Sequence, residues 1–103
     1  MSATSAEASR HDIEEIPGLD ELAEALRTLR NPDELKRFLR DLCTLGELEA
    51  LAHRWQIVRL LDEGTPYLEI AARVHTSTAT VTRVAQWLRH GAGGYALALA
   101  RTR

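Results

Sequence analysis

The amino-acid sequence predicts an all-α protein organised around a helix-turn-helix. Its hydrophobic content of 45% is ordinary for a globular domain, and only 5% of the residues are aromatic, so Leu and Ala dominate; both favour helices. From about residue 66 to residue 90, two stretches of helical apolar periodicity are joined by three residues that interrupt it. No alternating apolar pattern flanks this motif, so we expect no strand beside it.

The chain divides into a leader and one domain. Residues 1–17 are rich in Ser, Ala and Glu, and Gly18 follows them. This composition cannot bury a core, so we expect a flexible acidic leader. Residues 18–103 are predicted to form one all-helical domain.

Two helices are predicted in the first part of this domain. Asp20 can cap the first helix, which we expect to run to about Arg30. Asn31 can cap the second, with Pro32 at its first helical position, and an apolar stripe continues to Cys43.

Thr44 and Glu47 are spaced as a capping box, which predicts the start of a longer third helix. We expect this helix to end at about Glu63, before Gly64. Its apolar residues cover more of its circumference than one neighbouring helix can bury. They are Leu45, Leu48, Leu51, Ala52, Trp55, Val58, Leu60 and Leu61.

The helix-turn-helix is predicted to begin at Pro66, which suits a first helical position. Ala71 is small, as the close crossing of two helices requires. The tight turn falls on His75, where Gly would be favoured, so we expect a positive φ there. Ser77 or Thr76 can cap the second helix. The outward face of that helix would carry Thr78, Thr80, Thr82, Arg83, Gln86 and Arg89.

After a glycine-rich loop at Gly91–Gly94, the apolar segment Tyr95–Ala100 is too short to be stable alone and must dock on the rest of the chain. This segment and the three helices before the motif would be poorly covered within one small domain. We therefore expect a homodimer. A two-fold axis would place two recognition helices about 34 Å apart, the spacing of successive major grooves.

Charge is distributed unevenly along the chain. Residues 1–35 hold nine acidic and three basic residues, whereas residues 36–103 hold six acidic and ten basic residues. From Gly64 onward Glu69 is the only acidic residue. The motif therefore lies in a region of positive potential, which a duplex-binding surface needs, although the net charge of the chain is −2.

Several other classes of protein find little support in the sequence. No apolar run is long enough to span a membrane, and the acidic N-terminus is unlike a secretory signal, so we expect a cytoplasmic protein. Cys43 is the only cysteine and the four histidines lack ligand spacing, so neither a metal nor a cofactor is expected. No phosphate loop, nucleophile elbow or close acidic pair is present, and an enzyme is not predicted.

The chain from about Leu29 to Arg101 resembles the Trp-repressor-like family, and specifically its YerC/YecD-type branch. The segments that carry the resemblance are, in order, DLCT, ELEALAHRWQIV, EIAARV, STATVTRV and HGAGGY. Their combination is more specific than a helix-turn-helix alone. The resemblance implies an intertwined, all-helical homodimer in which the helices before the motif, contributed by both chains, make a shared core.

In the repressor that gives the family its name, tryptophan binds between the core and the recognition helix. The resemblance implies polar ligand contacts at Thr44, Arg54 and Arg83. Val84 stands where that repressor has glycine and Trp87 where it has serine, so we expect that tryptophan is not the co-repressor. Either Val84 and Trp87 fill the pocket from within, as core residues, or a different small ligand uses a reshaped pocket with the two arginines.

The motif, the charge distribution and the resemblance together predict a DNA-binding transcriptional regulator. We expect a repressor that acts as a homodimer on a palindromic operator in double-stranded DNA. The residues expected to approach bases or the adjacent backbone are Ser77, Thr78, Thr80 and Arg83, the last of which could instead brace the core. Those expected to meet phosphates are Arg54, Arg73 and Arg89. The alternative is a helical dimerisation module that binds a protein partner.

Overall fold

Six helices make up most of the computed structural model, which describes residues 12–103. In chain order they are α1 (Leu19–Arg27), α2 (Pro32–Leu42), α3 (Leu45–Asp62), α4 (Tyr67–Val74), α5 (Thr78–His90) and α6 (Gly94–Thr102). Residues 12–103 contain no strand, and the all-α prediction is confirmed. Residues 1–11, which form most of the predicted leader, lie outside the described residues.

The predicted caps of α2 and α3 are confirmed. The side chain of Asn31 accepts a hydrogen bond from the backbone N–H of Glu34, and Pro32 is the first residue of α2. At α3, Thr44 Oγ1 accepts from the backbone N–H of Glu47 at 3.1 Å, and Glu47 Oε1 accepts from the backbone N–H of Thr44 at 2.9 Å. The backbone N–H and then the hydroxyl of Thr44 hold the pKa of the Glu47 carboxyl below its usual value, because a hydrogen bond donated to the carboxylate favours its charged form.

The predicted ends of α1 and the start of α4 are wrong by a few residues. Gly18 leads directly into α1, so Asp20 lies in the first turn, near the positive end of the helix dipole, instead of at the cap. The helix ends at Arg27 instead of Arg30, where the hydroxyl of Thr28 donates to a backbone carbonyl of the last turn. Pro66 is the cap of α4, one residue before its first helical position.

The core lies where the second half of α3 meets α4, α5 and α6. Four side chains in it are completely enclosed, namely Ile57 and Val58 of α3, Ile70 of α4 and Val81 of α5. Leu99 of α6 is also buried against this cluster. The segment Tyr95–Ala100 therefore docks on the core, as its apolar composition predicted. The helix-turn-helix and the end of α3 form one packed body.

The N-terminal helices contribute no buried residue to this core. Neither α1 nor α2 buries a side chain, and α3 buries only residues of its second half. Leu42, Leu45 and Leu51, in α2 and the first half of α3, are 51%, 59% and 44% exposed. Among residues 12–103, these apolar side chains are therefore left largely uncovered.

The turn between α4 and α5 depends on a left-handed residue that is not glycine. His75 has φ 56° and ψ 52°, as predicted, and is the one non-glycine residue among 12–103 with a positive φ. The backbone N–H of Thr76 then bonds to the carbonyl of Ala71 at 2.9 Å, which closes the end of α4. The side chain of His75 is exposed, so packing does not offset the backbone strain.

Replacing His75 with Gly is expected to raise the free energy of unfolding by about 1 kcal/mol, because Gly adopts left-handed angles without a Cβ penalty. Urea unfolding at a fixed chain concentration measures the change. Gly64→Ala is the matched control. Gly64 has φ 82°, and a Cβ there would touch nothing within 4 Å. This variant should therefore be destabilised only by the cost of holding a residue with a Cβ at a positive φ. A destabilised His75→Gly protein would contradict the assignment of strain.

Candidate nucleic-acid interface

A chain of hydrogen bonds runs along the first turns of α5. Ser77 caps the helix, and its Oγ accepts from the backbone N–H of Thr80 at 3.1 Å. The hydroxyls of Ser77 and Thr80 are also hydrogen-bonded at 3.1 Å, and Nη2 of Arg83 donates to Oγ1 of Thr80 at 3.2 Å. Three predicted site residues are therefore linked to one another before any ligand is present.

Thr78 differs from its neighbours in this turn. Thr82 donates its hydroxyl to the carbonyl of Thr78 at 2.9 Å, so that hydroxyl is used within the helix. The hydroxyl of Thr78 has no hydrogen-bond partner among the described residues, and its side chain is exposed at the start of α5. Of the hydroxyls on this helix start, the one on Thr78 is free to contact another molecule.

The three arginines predicted to meet phosphates are exposed and lie on different parts of the body. Arg54 is on α3, Arg73 is on the last turn of α4, and Arg89 is on the last turn of α5. None of them pairs with a carboxylate among residues 12–103. Their charge is therefore not neutralised within the described chain.

Arg59 is a basic residue that the sequence reasoning missed. Arg59 and Arg73 line the same groove between α3 and α4, of about 270 Å³, together with Gln56, Leu60, Glu63 and Val74. In the sequence, Arg59 is one polar position on a long helix, and no local pattern shows that α4 packs beside it. The structure thus brings two arginines to one groove.

A cavity of about 680 Å³ lies between α3, α5 and the loop before α6. Arg54, Arg83, Val84 and Trp87 line it, so four of the five residues of the predicted ligand pocket meet there. Its remaining lining residues are Thr80 and the segment 91–95. Thr44 does not line it. This residue caps the start of α3, well before Arg54 in the helix, and its hydroxyl accepts a hydrogen bond from Glu47.

The two residues expected to fill this cavity behave differently. Val84 is buried at its floor, as a core residue. Trp87 stands on its wall with 61% of its surface exposed, so the expectation that Trp87 packs into the core is wrong for the single chain. The buried positions of α5 are Val81, Val84 and Ala85, whereas Trp87 lies on the open cavity beside the segment 91–95.

The loop after α5 approaches the backbone of Trp87 closely. A Cβ on Gly91 would lie 2.4 Å from the carbonyl oxygen of Trp87 and 3.2 Å from Cε3 of its ring. The backbone N–H of Gly91 donates to that same carbonyl at 2.9 Å. Only glycine fits at residue 91, because any Cβ there would overlap this oxygen. The loop can therefore lie close to Trp87.

Other kinds of site are not formed by the described part of the chain. No three His, Cys, Asp or Glu side chains among residues 12–103 are placed to hold a metal ion. Within the same residues, no helix is both long enough and apolar enough to cross a membrane.

Gly91→Ala is expected to lower the free energy of unfolding by about 1–3 kcal/mol, because its Cβ must displace the backbone at the end of α5. Gly94→Ala, at the first residue of α6, is the matched control, since a Cβ there meets nothing within 4 Å. Urea unfolding measures the stability of both variants, and acrylamide quenching of tryptophan fluorescence reports on the cavity wall. Equal stability of the two variants would show that the loop tolerates a side chain at residue 91.

Comparison with known proteins gives consistent matches. The model of the family described as Trp repressor protein matches residues 17–103. The chain is 39% identical over 85 residues to the uncharacterized protein YerC of Bacillus subtilis, covering 82% of each protein. It is 40% identical over 67 residues to a Trp operon repressor homolog of Actinobacillus succinogenes, covering 64% of this chain and 66% of that protein. The crystal structure of a TrpR-like protein from Eubacterium eligens superposes with a TM-score of 0.80 at 32% identity, covering 88% of this chain and 94% of the other.

Proposed function

Because this chain belongs to the Trp repressor family, in its YerC-type branch, we propose that it is a sequence-specific DNA-binding regulator of transcription. It acts as a repressor, as a homodimer on a palindromic operator. The observation that carries this proposal is the exposed start of α5, where the hydroxyl of Thr78 has no hydrogen-bond partner among the described residues. The arginines at residues 54, 73 and 89 of the same body form no ion pair among residues 12–103. A recognition helix reads base edges with the residues at its start.

We assign base readout first to Thr78, whose hydroxyl is free to donate or accept in the major groove. Ser77 and Thr80 approach the adjacent backbone, since their hydroxyls are already bonded to each other. Arg83 is held by Thr80 and directs its guanidinium towards the cavity and the nearby backbone. A polar residue that is ordered before binding loses less entropy when it contacts DNA.

Arg54, Arg73 and Arg89 contact phosphates in this proposal. The absence of carboxylate partners among the described residues leaves each guanidinium available for the DNA backbone. Such contacts orient the protein on the duplex and make its affinity depend on salt, without reading sequence. Arg59, beside Arg73 in the same groove, extends this set.

The homodimer is supported by the apolar surface of α1, α2 and the first half of α3. Helices that bury nothing in their own chain and expose Leu42, Leu45 and Leu51 are covered by the same helices of a second copy. Residues 18–103 then form the dimerisation and DNA-binding domain, preceded by the acidic leader at 1–17.

Tryptophan is not the co-repressor in this proposal. Val84 forms the cavity floor and Trp87 its wall, so a branched side chain and an indole stand beside the space where a planar ligand would lie. The recognition helix is set by the protein's own side chains instead. The cavity remains large enough that a different small molecule with an anionic group could meet Arg54 and Arg83.

Thr78→Val keeps the shape of the side chain and removes its free hydroxyl. We expect the gap in affinity between operator and random DNA to narrow by about 1–3 kcal/mol. Thr82→Val is the matched control, because the hydroxyl of Thr82 already bonds within the helix.

Arg89→Ala should weaken binding to all sequences alike and flatten the salt dependence of the DNA affinity.

The measurement is a gel shift on fragmented genomic DNA at about 150 mM salt, where nonspecific binding is weak, followed by titration of the selected fragment. Equal losses for Thr78→Val and Thr82→Val on every sequence would remove the claim of base readout. If a stable dimer retains no fragment, the alternative of a module that binds a protein partner is favoured.

Isothermal titration with tryptophan is expected to show no binding at micromolar concentrations, since Val84 and Trp87 give the floor and wall of the cavity another shape than glycine and serine would. A Val84→Gly, Trp87→Ser double variant provides the comparison, because it restores the two residue types that the tryptophan-binding repressor has at these positions. Micromolar affinity of the unmodified protein for tryptophan would contradict this part of the proposal.

A further inference from the structure

One side-chain hydrogen bond links α3 to the helix-turn-helix among the described residues. Nε2 of His53, in the middle of α3, donates to the backbone carbonyl oxygen of Val74, the last residue of α4. A carbonyl oxygen only accepts, so the ring carries a proton on Nε2. The bond joins residues 21 positions apart in the chain.

The carbonyl of Val74 needs such a partner. The last carbonyls of a helix have no donor within the helix. At the end of α4 the carbonyl of Ala71 is satisfied by Thr76, whereas the carbonyl of Val74 bonds to His53. Val74 is a buried residue, so water has little access to this part of the helix end.

The position of this bond relates it to the recognition helix. Val74 directly precedes His75, the strained residue of the turn, and Ser77 caps α5 only three residues after Val74. Ile57 and Val58 of α3 pack in one buried cluster with apolar side chains of both motif helices, including that of Val74. His53 supplies a directional contact at the turn, where apolar packing alone would permit small shifts.

We propose that His53 is a positioning residue for DNA binding, which fixes the end of α4 and thereby the start of α5 relative to the scaffold helix α3. This proposal rests on the proposed function. Without the bond, the turn and the start of α5 sample other arrangements. The apparent dissociation constant for DNA then rises in proportion to the loss of the binding-competent fraction.

The experiment compares His53→Leu with His53→Gln in the full chain. Leu keeps an apolar bulk and removes the donor, whereas the amide of Gln places an N–H near the position of Nε2. Gln56→Leu is the matched control, because Gln56 lies one turn later on α3 and lines the neighbouring groove, and its side chain forms no hydrogen bond among the described residues. If His53→Leu fails to fold, His53→Asn, whose amide is too short to reach, replaces it.

Three quantities are measured: affinity for the selected DNA fragment per folded dimer, amide hydrogen exchange at Thr76 and Thr80, and the urea midpoint. We expect His53→Leu to lose about tenfold in DNA affinity, the equivalent of one hydrogen bond, and to exchange both amides faster. His53→Gln and Gln56→Leu should stay within about twofold of the unmodified protein in affinity.

The proposal is overturned if His53→Gln loses as much affinity as His53→Leu, or if Gln56→Leu does so. It is also overturned if His53→Leu binds DNA normally or exchanges these amides at the unmodified rate. Failure of the proposed function looks different: the unmodified protein itself then binds no DNA, while the exchange comparison still shows whether His53 orders the turn.

Discussion

The structure depends on one buried contact, where Ile57 and Val58 of α3 meet Ile70 of α4 and Val81 of α5. These four are the largest fully buried side chains among residues 12–103. Burial of a branched aliphatic side chain contributes about 1.5–3 kcal/mol. The angle between α4 and α5, and the surface that α5 presents, both follow from the packing at this point.

Polar contacts fix the position of α5 more narrowly than the apolar packing does. Ser77, Thr80 and Arg83 form an ordered series along one side of α5, while His53 supports the turn from α3. Hydrogen bonds are directional and apolar contacts are not. A recognition helix requires both, because a shift that apolar packing tolerates would still misplace a base contact.

Features set by neighbouring residues could be predicted from the sequence, whereas features set by distant ones could not. The caps at Asn31 and Thr44 and the positive φ of His75 depend on a few consecutive residues, and the structure has them. Three other features depend on how α3 lies against α4 and α5. They are the exposure of Trp87, the position of Arg59 and Arg73 in one groove, and the hydrogen bond of His53. Helical periodicity assigns a side chain to a face but does not say which loop or helix covers that face. The cap of α1 was missed for a local reason, since Asp20 and Gly18 offer competing starts only two residues apart.

The contact at Gly91 makes two neighbouring positions unequal in the substitutions they accept. The obstacle to a side chain at residue 91 is the backbone oxygen of residue 87, which every amino acid carries. Residue 87 itself is mostly exposed at the cavity wall, so the steric conflict at residue 91 does not depend on which side chain residue 87 carries. The cavity wall at residue 87 therefore tolerates different side chains, whereas residue 91 beside it requires glycine. The size and chemistry of the cavity can diverge among related chains by single substitutions at residue 87, while the frame around it stays the same.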